Sequence, residues 1–177
     1  GVVRVKEKRT TLNYEGKAEL MTIKMPAPAK PEGVDAAVWE KMLSATPTEA
    51  RHLIREGSFD APTSGLCPGY AQANLIVLPK EQAYDFLLFA QRNPKPCPLL
   101  EVTETGAREA TICATDCDIA TDFPRYRIYE YGKLVDEVTD VSSYWRDDLV
   151  SFVIGCSFSF ESELIEAGIE MRHNTQG

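Results

Sequence analysis

Residues 150–161 read VSFVIGCSFSFE, and this stretch does most to determine the fold. The apolar, β-branched segment up to Ile154 is typical of a buried strand, and the residues after Gly155-Cys156-Ser157 are typical of the first turn of a helix. The unpaired N–H groups and the dipole at a helix start favour negative charge. The junction therefore predicts a site that combines a thiol, hydroxyl groups and backbone donors, where a cysteine can become a reactive thiolate.

The composition is that of an ordinary globular chain: 177 residues, 44% hydrophobic and 26% charged, with a net charge of -8. The negative charge argues against nucleic acid and anionic membranes as partners, because both bind clustered Lys and Arg. The longest unbroken apolar run, Phe86 to Ala90, is far shorter than a membrane-spanning helix requires. The odd number of cysteines, five, indicates free thiols in a reducing compartment. We therefore expect a cytoplasmic protein.

The chain divides at about residue 33. Residues 1–33 are an N-terminal extension that ends in a Pro-rich linker, whose three closely spaced prolines fit neither a helix interior nor a central strand. Residues 34–177 are the main domain. Its first clear element is a helix over Pro47–Glu56, predicted by the capping box that begins at Thr46 and places proline at the first helical position.

Strand and helix patterns alternate along the rest of the domain. Pro79 opens a predicted helix with an apolar stripe, and alternating segments on either side of Gly132 predict a hairpin. The other predicted elements are strands over Ala73–Leu78, Leu99–Val102, Thr111–Ala114 and Leu149–Ile154 and a helix over about Ser159–Ala167. This order predicts an α/β fold: a layered mixed sheet flanked by helices, with a smaller antiparallel α+β insert at roughly residues 101–147.

Cys156 and Ser157 are the first catalytic candidates. Open α/β sheets place ligands at the carboxyl ends of their strands, where either residue could act as a nucleophile. A structural role is equally open, because free cysteines are among the most buried residues and Ser157 could be a helix N-cap. The Gly-x-Ser-x-Gly pattern of serine hydrolases is not matched, because Phe158-Ser159 follow.

Two further residues are candidates for proton transfer. Glu161 lies one turn into the predicted helix and could act beside the thiol or simply cap the helix. His173 follows that helix, whereas His52 belongs to an ordinary amphipathic helix. With two histidines a three-histidine zinc site is impossible, and no zinc-type spacing accompanies Cys113–Asp118. We expect neither a metal nor a cofactor.

The candidate substrate-binding residues include a polar row on one predicted strand. Tyr70, Gln72 and Asn74 leave a Gly/Pro-rich loop, and alternation along the strand places all three on one side. Asp122 is a further candidate. It ends an acidic segment that could bind a hard cation such as Mg²⁺ or remain a solvated loop.

Cationic side chains suited to a carboxylate complete the set of binding candidates. Arg92 and Lys95 flank a rigid Pro-rich turn, and Arg172 follows the last predicted helix. A structural role would also explain Arg92, because cations at the end of a helix satisfy its dipole.

Four blocks of the chain occur in a recognisable order. They are Pro62–Gly65 with Pro68–Leu75, Arg92–Leu100, Thr121–Arg127 and Ile154–Glu161, followed by Ala167-Gly168-Ile169 and Arg172-His173. Together they resemble an uncharacterised bacterial hydro-lyase family whose domain also occurs in D-glutamate cyclase. The resemblance covers about Ser44 to the end of the chain and leaves out residues 1–33. It implies a two-part α/β structure and a lyase-type reaction, and the best-described reaction in the family is the dehydration of D-glutamate to 5-oxo-D-proline.

The resemblance implies a small carboxylate as substrate but brings no established catalytic residue. We therefore assign catalysis to Cys156, Ser157, Glu161 and His173 by inference from the chemistry, which requires an activated γ-carboxyl and proton transfer to the departing oxygen. The alternative is a non-catalytic module that binds a small carboxylate or assembles as a homo-oligomer. Because the family usually continues well past Arg172, we expect the chain to be incomplete at its C-terminus.

Overall fold

The apolar stretch that ends at Gly155 forms an inner strand of a sheet. The structure, a computed structural model, describes residues 2–3, 28–157, 164 and 169. In chain order its elements are β1 (Val2–Val3), α1 (Ala36–Ser44), α2 (Pro47–Arg55), β2 (Ala71–Pro79), α3 (Lys80–Arg92), β3 (Leu99–Val102), β4 (Tyr126–Glu130), β5 (Lys133–Val138) and β6 (Leu149–Gly155). A 3₁₀ turn at Ser142–Tyr144 precedes β6.

Strands β1, β2, β6 and β3 form one sheet in that order, and each of these pairings is antiparallel. The pairing of β2 with β6 runs from Ala73 opposite Gly155 to Pro79 opposite Leu149. Strand β3 pairs with the other edge of β6. The combination of helices and strands confirms the α/β class, and β4 and β5 form a separate antiparallel pair within the predicted insert.

The two faces of β6 contribute to different hydrophobic cores. One face packs against α3 through Val150, Phe152 and Ile154. The rings of Phe152 and Phe86 meet edge to face, with their centroids 4.8 Å apart. Val153 points to the opposite face and joins the core beneath the segment 110–119. Burial on both faces explains why β6 is a nearly continuous apolar run.

Helices α1 and α2 enclose a separate core of their own. The predicted capping box of α2 is present, since Thr46 and Glu49 each accept a hydrogen bond from the other's backbone N–H. Helix α1 was not predicted; it begins after Asp35, whose carboxylate accepts hydrogen bonds from the first N–H groups of the helix. The core between the helices and the following loop contains Trp39, Met42, Ile54, Phe59 and Leu66.

The hairpin predicted around Gly132 is confirmed as β4 and β5. Its turn consists of Tyr131 and Gly132, with φ values of 49° and 76°. Positive φ at both positions gives a two-residue turn whose twist matches that of the paired strands. Gly132 adopts this conformation without steric cost, which explains why the alternating pattern breaks at this residue.

The strand predicted over Thr111–Ala114 is wrong, because this segment is bent around a buried carboxylate. Glu101 in β3 is 5% exposed and accepts backbone hydrogen bonds from Thr111, Ile112 and Cys113, at 2.7, 3.1 and 2.8 Å. Burial alone raises the pKa of Glu101, but the hydrogen bonds from Cys113, Thr111 and Ile112 outweigh it and hold the pKa below its ordinary value. A carboxylate that is remote in the sequence therefore takes the donors that a strand would use.

Some of the sequence predictions concern the two ends of the chain. The helix predicted over about Ser159–Ala167 lies outside the described residues apart from isolated positions. At the N-terminus, Val2 and Val3 pair with Gln72 and Ala71 at the start of β2. Among the described residues, no helix is both long and apolar enough to cross a membrane.

The Glu101 contacts predict a pH-dependent loss of stability. Glu101→Gln should lower the free energy of unfolding at neutral pH by about 2 kcal/mol, because three backbone donors lose a charged acceptor. Since the folded pKa is depressed, the native carboxylate stabilises the fold above its unfolded pKa, and this contribution disappears as pH falls through the folded pKa. Urea unfolding of both proteins between neutral and acidic pH measures the difference.

The exposed carboxylate of Glu104 provides the matched control, and Glu104→Gln should change the free energy of unfolding little at any pH. A deficit in Glu101→Gln that stays constant down to the most acidic pH measured would contradict the ionised-carboxylate explanation.

Two buried hydroxyls in neighbouring segments predict opposite effects on stability. Thr103 Oγ1 accepts a hydrogen bond from the Ser151 N–H at 3.0 Å, whereas the Ser151 hydroxyl has no hydrogen-bond partner among the described residues. Thr103→Val should cost about 1–3 kcal/mol, because the buried N–H of residue 151 loses its acceptor. Ser151→Ala should be neutral or stabilising, since it removes an unpartnered polar group. Denaturant unfolding of the two variants tests the pair, and a larger loss for Ser151→Ala would refute it.

Candidate active site at one end of the sheet

Three chain segments meet where β6 ends. Because β2 and β3 run antiparallel to β6, both begin at the end of the sheet where β6 finishes. The Gly155 N–H donates to the Pro98 carbonyl at 2.9 Å, and the Cys156 N–H donates to the Gln72 carbonyl at 3.0 Å. These two bonds fix the turn after β6 between the start of β2 and the loop before β3.

Gly155 allows the Pro-rich loop of residues 93–98 to approach the turn closely. A Cβ atom added at Gly155 would lie 3.2 Å from Cγ of the Pro98 ring, which is closer than ordinary van der Waals contact. The ring and the backbone around it have little freedom to move away. The glycine of the Gly-Cys-Ser turn therefore has a packing role, which is to bring the loop that carries Lys95 against the end of β6.

Cys156 differs from most of the other cysteines in its exposure. All five cysteines lie in the described part of the chain and are free thiols; Cys156 and Cys97 are half-buried and the remaining three are buried. Burial raises the pKa of Cys67, and it raises the pKa values of Cys113 and Cys117 to about 12 and about 11. Those three thiols are therefore suited to packing, whereas Cys156 is accessible beside the exposed Ser157.

The backbone donors of the turn are partly used by the sheet. The N–H groups of Gly155 and Cys156 are both hydrogen-bonded to neighbouring segments. A developing negative charge at this turn must therefore be stabilised by donors from Ser157 onward or by side chains. The start of the predicted helix, which would supply such donors, lies outside the described residues.

The polar row predicted on β2 has different surroundings at each position. Gln72 is 6% exposed, and its amide is hydrogen-bonded to the Gly/Pro-rich loop before β2. Asn74 is exposed; it is two residues before Ile76, which packs against the core under α3, so both belong to the α3 side of the sheet. Tyr70 is 37% exposed at the end of the loop. Their roles in binding substrate stay predictions, but all three lie at the end of the sheet where Cys156 is found.

Arg92 and Lys95 reach the same end of the sheet through α3. This helix begins after β2 at the opposite end of the sheet and packs on the face formed by Phe152 and Ile154. It therefore returns toward the end of β6, where Arg92 is its last residue and Lys95 follows in the turn. Both side chains are exposed. The fold thus brings two candidate carboxylate-binding cations to the same end of the sheet as the turn that carries Cys156.

Asp122 belongs to a different cluster. It is completely buried and accepts hydrogen bonds from Arg55 at 2.7 and 2.8 Å and from the Asp118 N–H at 3.0 Å. The hydrogen bond to Asp122 raises the pKa of the Arg55 guanidinium. Arg51 lies 3.7 Å away as a second cation. Asp122 thereby connects α2 to the acidic segment, and its predicted contact with substrate remains untested.

The remaining acidic residues of that segment are also paired. His52 Nε2 lies 2.6 Å from Asp116 Oδ2, and this hydrogen bond lowers the pKa of Asp116. Arg108 binds both carboxylate oxygens of Asp118, at 3.1 and 2.6 Å. Within the described residues, no group of three or more His, Cys, Asp and Glu side chains is arranged to hold a metal ion.

A groove of about 540 Å³ lies along the outer side of β3. It is lined by residues between Glu101 and Ile112, including Arg108. Residues 103 and 106 bond to Ser151 and Leu149, so the groove extends toward the start of β6 and away from Cys156. It is therefore not part of the candidate site.

Some predicted site residues fall outside the described part of the chain, and two buried ionisable residues, Arg51 and Glu101, were missed. Glu161, Arg172 and His173 lie outside the described residues. Glu101 was not among the candidates, although a charged residue within the apolar segment Leu99–Val102 was a visible signal that it has a buried partner.

The end of β6 lies within a region that matches a known protein family. The sequence model of the D-glutamate cyclase family matches residues 150–177, which begin within β6 and include the Gly155-Cys156-Ser157 turn. A protein of Clostridium beijerinckii named "Putative hydro-lyase" is 65% identical over 127 residues, or 72% of this chain and 48% of that protein. "Putative hydro-lyase YcsI" of Bacillus subtilis is 58% identical over 131 residues, 74% of this chain and 51% of its own length. A protein of Stutzerimonas stutzeri named "Putative hydro-lyase" is 57% identical over 132 residues, 75% of this chain and 50% of that protein.

The chain therefore spans about half the length of the curated relatives it matches. The aligned part covers about three quarters of this chain, and more than half of the aligned residues are identical to those of each relative. These matches confirm the resemblance of the chain to the hydro-lyase family that includes the D-glutamate cyclase domain.

Proposed function

We propose that this chain carries a hydro-lyase site for a small carboxylate and that its reaction is the interconversion of D-glutamate and 5-oxo-D-proline. The proposal rests on the fact that the family match and the candidate residues share one turn of the chain. The match to the D-glutamate cyclase family begins in β6 and includes Cys156, and the same turn is hydrogen-bonded to the segments that carry Gln72 and Lys95. The family match thus includes the turn on which the candidate residues converge, and this overlap supports the proposal.

Cyclisation removes one molecule of water from D-glutamate. The neutral α-amine forms a bond to the carbon of the γ-carboxyl group (Cδ), and the bond from that carbon to one of its two oxygens breaks. The departing hydroxyl leaves as water with a proton from the amine. Arg92, Lys95 or Arg172 binds a carboxylate of the substrate, and Glu161 or His173 moves the proton. These assignments combine residues that the fold brings together with residues outside the described part of the chain.

Cys156 offers a two-step route to the same product. Its thiol displaces water from the γ-carboxyl to give a thioester, and the amine then displaces the thiol to close the ring. Ser157 could form the corresponding ester. In the direct route neither residue forms a bond, and the amine attacks the γ-carboxyl itself. The half-buried Cys156 is the better candidate of the two because a thiol is intrinsically more nucleophilic than a hydroxyl.

Turnover of D-glutamate and of 5-oxo-D-proline tests the proposal directly. The protein is incubated with each compound, with L-glutamate as the stereochemical control, and the products are followed by chiral chromatography. If Cys156 forms the thioester, Cys156→Ala should lower kcat/KM by at least about 100-fold. Cys97→Ala changes the other cysteine that is not buried and should leave turnover close to that of the unmodified chain.

The outcomes separate the parts of the proposal. Absence of turnover in both directions would contradict the cyclase assignment, whereas full activity of Cys156→Ala would exclude only the thioester route. Thermal stabilisation by D-glutamate or another small dicarboxylate without turnover would instead favour a binding module.

A further inference from the structure

Gln72 connects the two segments that border the candidate site. Its backbone carbonyl accepts the hydrogen bond from the Cys156 N–H at 3.0 Å. Its side-chain oxygen accepts a hydrogen bond from Thr63 Oγ1 at 2.7 Å, and its Nε2 donates to the carbonyls of Thr63 and Leu66. One residue therefore holds the Gly/Pro-rich loop of residues 61–70 with its side chain and the turn after β6 with its backbone.

The hydrogen-bonding capacity of the amide argues against direct contact with substrate. A glutamine amide has two N–H donors. Both donors of Gln72 have partners in the loop, and the residue is 6% exposed. Leaving a buried donor or acceptor unmade costs about 1–3 kcal/mol, so exchanging these bonds for bonds to a ligand is unfavourable.

The position of Gln72 in the sheet makes the coupling stiff. Its neighbour Ala73 is paired with Gly155, and Gln72 itself is paired with Val2 in β1. A displacement of the loop that moves the Gln72 side chain therefore acts on a residue whose backbone is bonded on both sides. Such a displacement would directly strain the hydrogen bond between the Cys156 N–H and the Gln72 carbonyl.

We propose that Gln72 is a positioning residue that couples the 61–70 loop to the Cys156 thiol, so that a change in this loop alters the reactivity of Cys156. The inference rests on the proposed location of the site, but it does not require that the reaction be cyclisation of D-glutamate. Gln72 acts through the turn and does not touch the reacting atoms.

The relative reactivity of two cysteines in the same protein tests the coupling. Iodoacetamide labelling of Cys156 and Cys97 is followed by peptide mass spectrometry across a range of pH, and the ratio of the two rates is the readout. Gln72→Glu replaces the two donors by acceptors facing carbonyl groups, and Thr63→Val removes only the hydroxyl that binds the amide. Both should raise the Cys156/Cys97 ratio several-fold, because they loosen the turn on its Gln72 side, whereas Cys97 is held within its own loop by the hydrogen bond from its N–H to the Asn93 carbonyl.

Two control variants separate coupling from a general loss of structure. Thr63→Ser keeps the hydroxyl and should restore the ratio of the unmodified chain. Gln82→Glu makes the same chemical change at an exposed position of α3 and should leave the ratio unchanged. The comparison of Thr63→Val with Thr63→Ser remains decisive even if Gln72→Glu does not fold.

Kinetic measurements add a second readout where the chain turns over a substrate. Mispositioning of a reacting group lowers kcat, so Thr63→Val should lower kcat by about ten-fold with little change in KM. An unchanged labelling ratio in folded Thr63→Val would overturn the coupling, whatever the turnover. Failure of the unmodified chain to convert D-glutamate would contradict the proposed function alone, because the labelling ratio does not depend on turnover.

Discussion

The antiparallel pairing of β6 along both of its edges is the constraint on which the described site depends. Its two neighbours both begin where β6 ends, so two loops that are distant in sequence meet beside the turn with Cys156. The register of this pairing also decides which side chains face α3. A shift of one residue would remove Phe152 from the core under α3 and would move Gly155 away from its close contact with Pro98. Stability and site geometry therefore depend on the same set of hydrogen bonds.

A second, polar connection joins helix α2 to the segment 116–122 that packs beneath the sheet. Asp122 is completely buried between Arg51 and Arg55 of α2 and the backbone of the acidic segment. A buried carboxylate is stable only when charges and donors surround it, so the segment 116–122 takes its conformation from α2. The same segment places Ile119 in the core beneath Val153. Helix α2, by holding this segment, thus supports the face of β6 that α3 does not cover.

The sequence predicted the elements whose causes are local. The capping box at Thr46, the turn at Gly132 and the apolar run of β6 all depend on residues that are close in the chain, and each was confirmed. The segment Thr111–Ala114 was misread because its backbone donors bind Glu101, about ten residues earlier, and periodicity contains no information on such a contact.

The candidate site was predictable to the same degree. The strand-to-turn junction and the family resemblance predicted its location, which stays a prediction, and the partners of individual side chains depend on tertiary contacts. Gln72 was predicted to bind substrate because alternation along the strand places it on the same side as Tyr70 and Asn74. Alternation gives only the side of a strand to which a residue belongs, and in the structure a loop covers that residue and binds its amide. The same limit applies to Asp122, whose neighbours come from α2.

The distribution of backbone hydrogen bonds in the turn restricts how the proposed chemistry could work. The Gly155 and Cys156 N–H groups donate hydrogen bonds to the carbonyls of Pro98 and Gln72. The position of the thiol is therefore determined by β2 and by the Pro-rich loop. Nucleophilic attack requires the reacting atoms to be held within a fraction of an ångström, and a thiol on an otherwise mobile turn would not meet this requirement. The arrangement supplies that rigidity at the expense of two donors that could have stabilised an oxyanion. Charge stabilisation must then come from groups that follow Cys156 or from the cations of the neighbouring loop, whereas positioning comes from the strands that precede it.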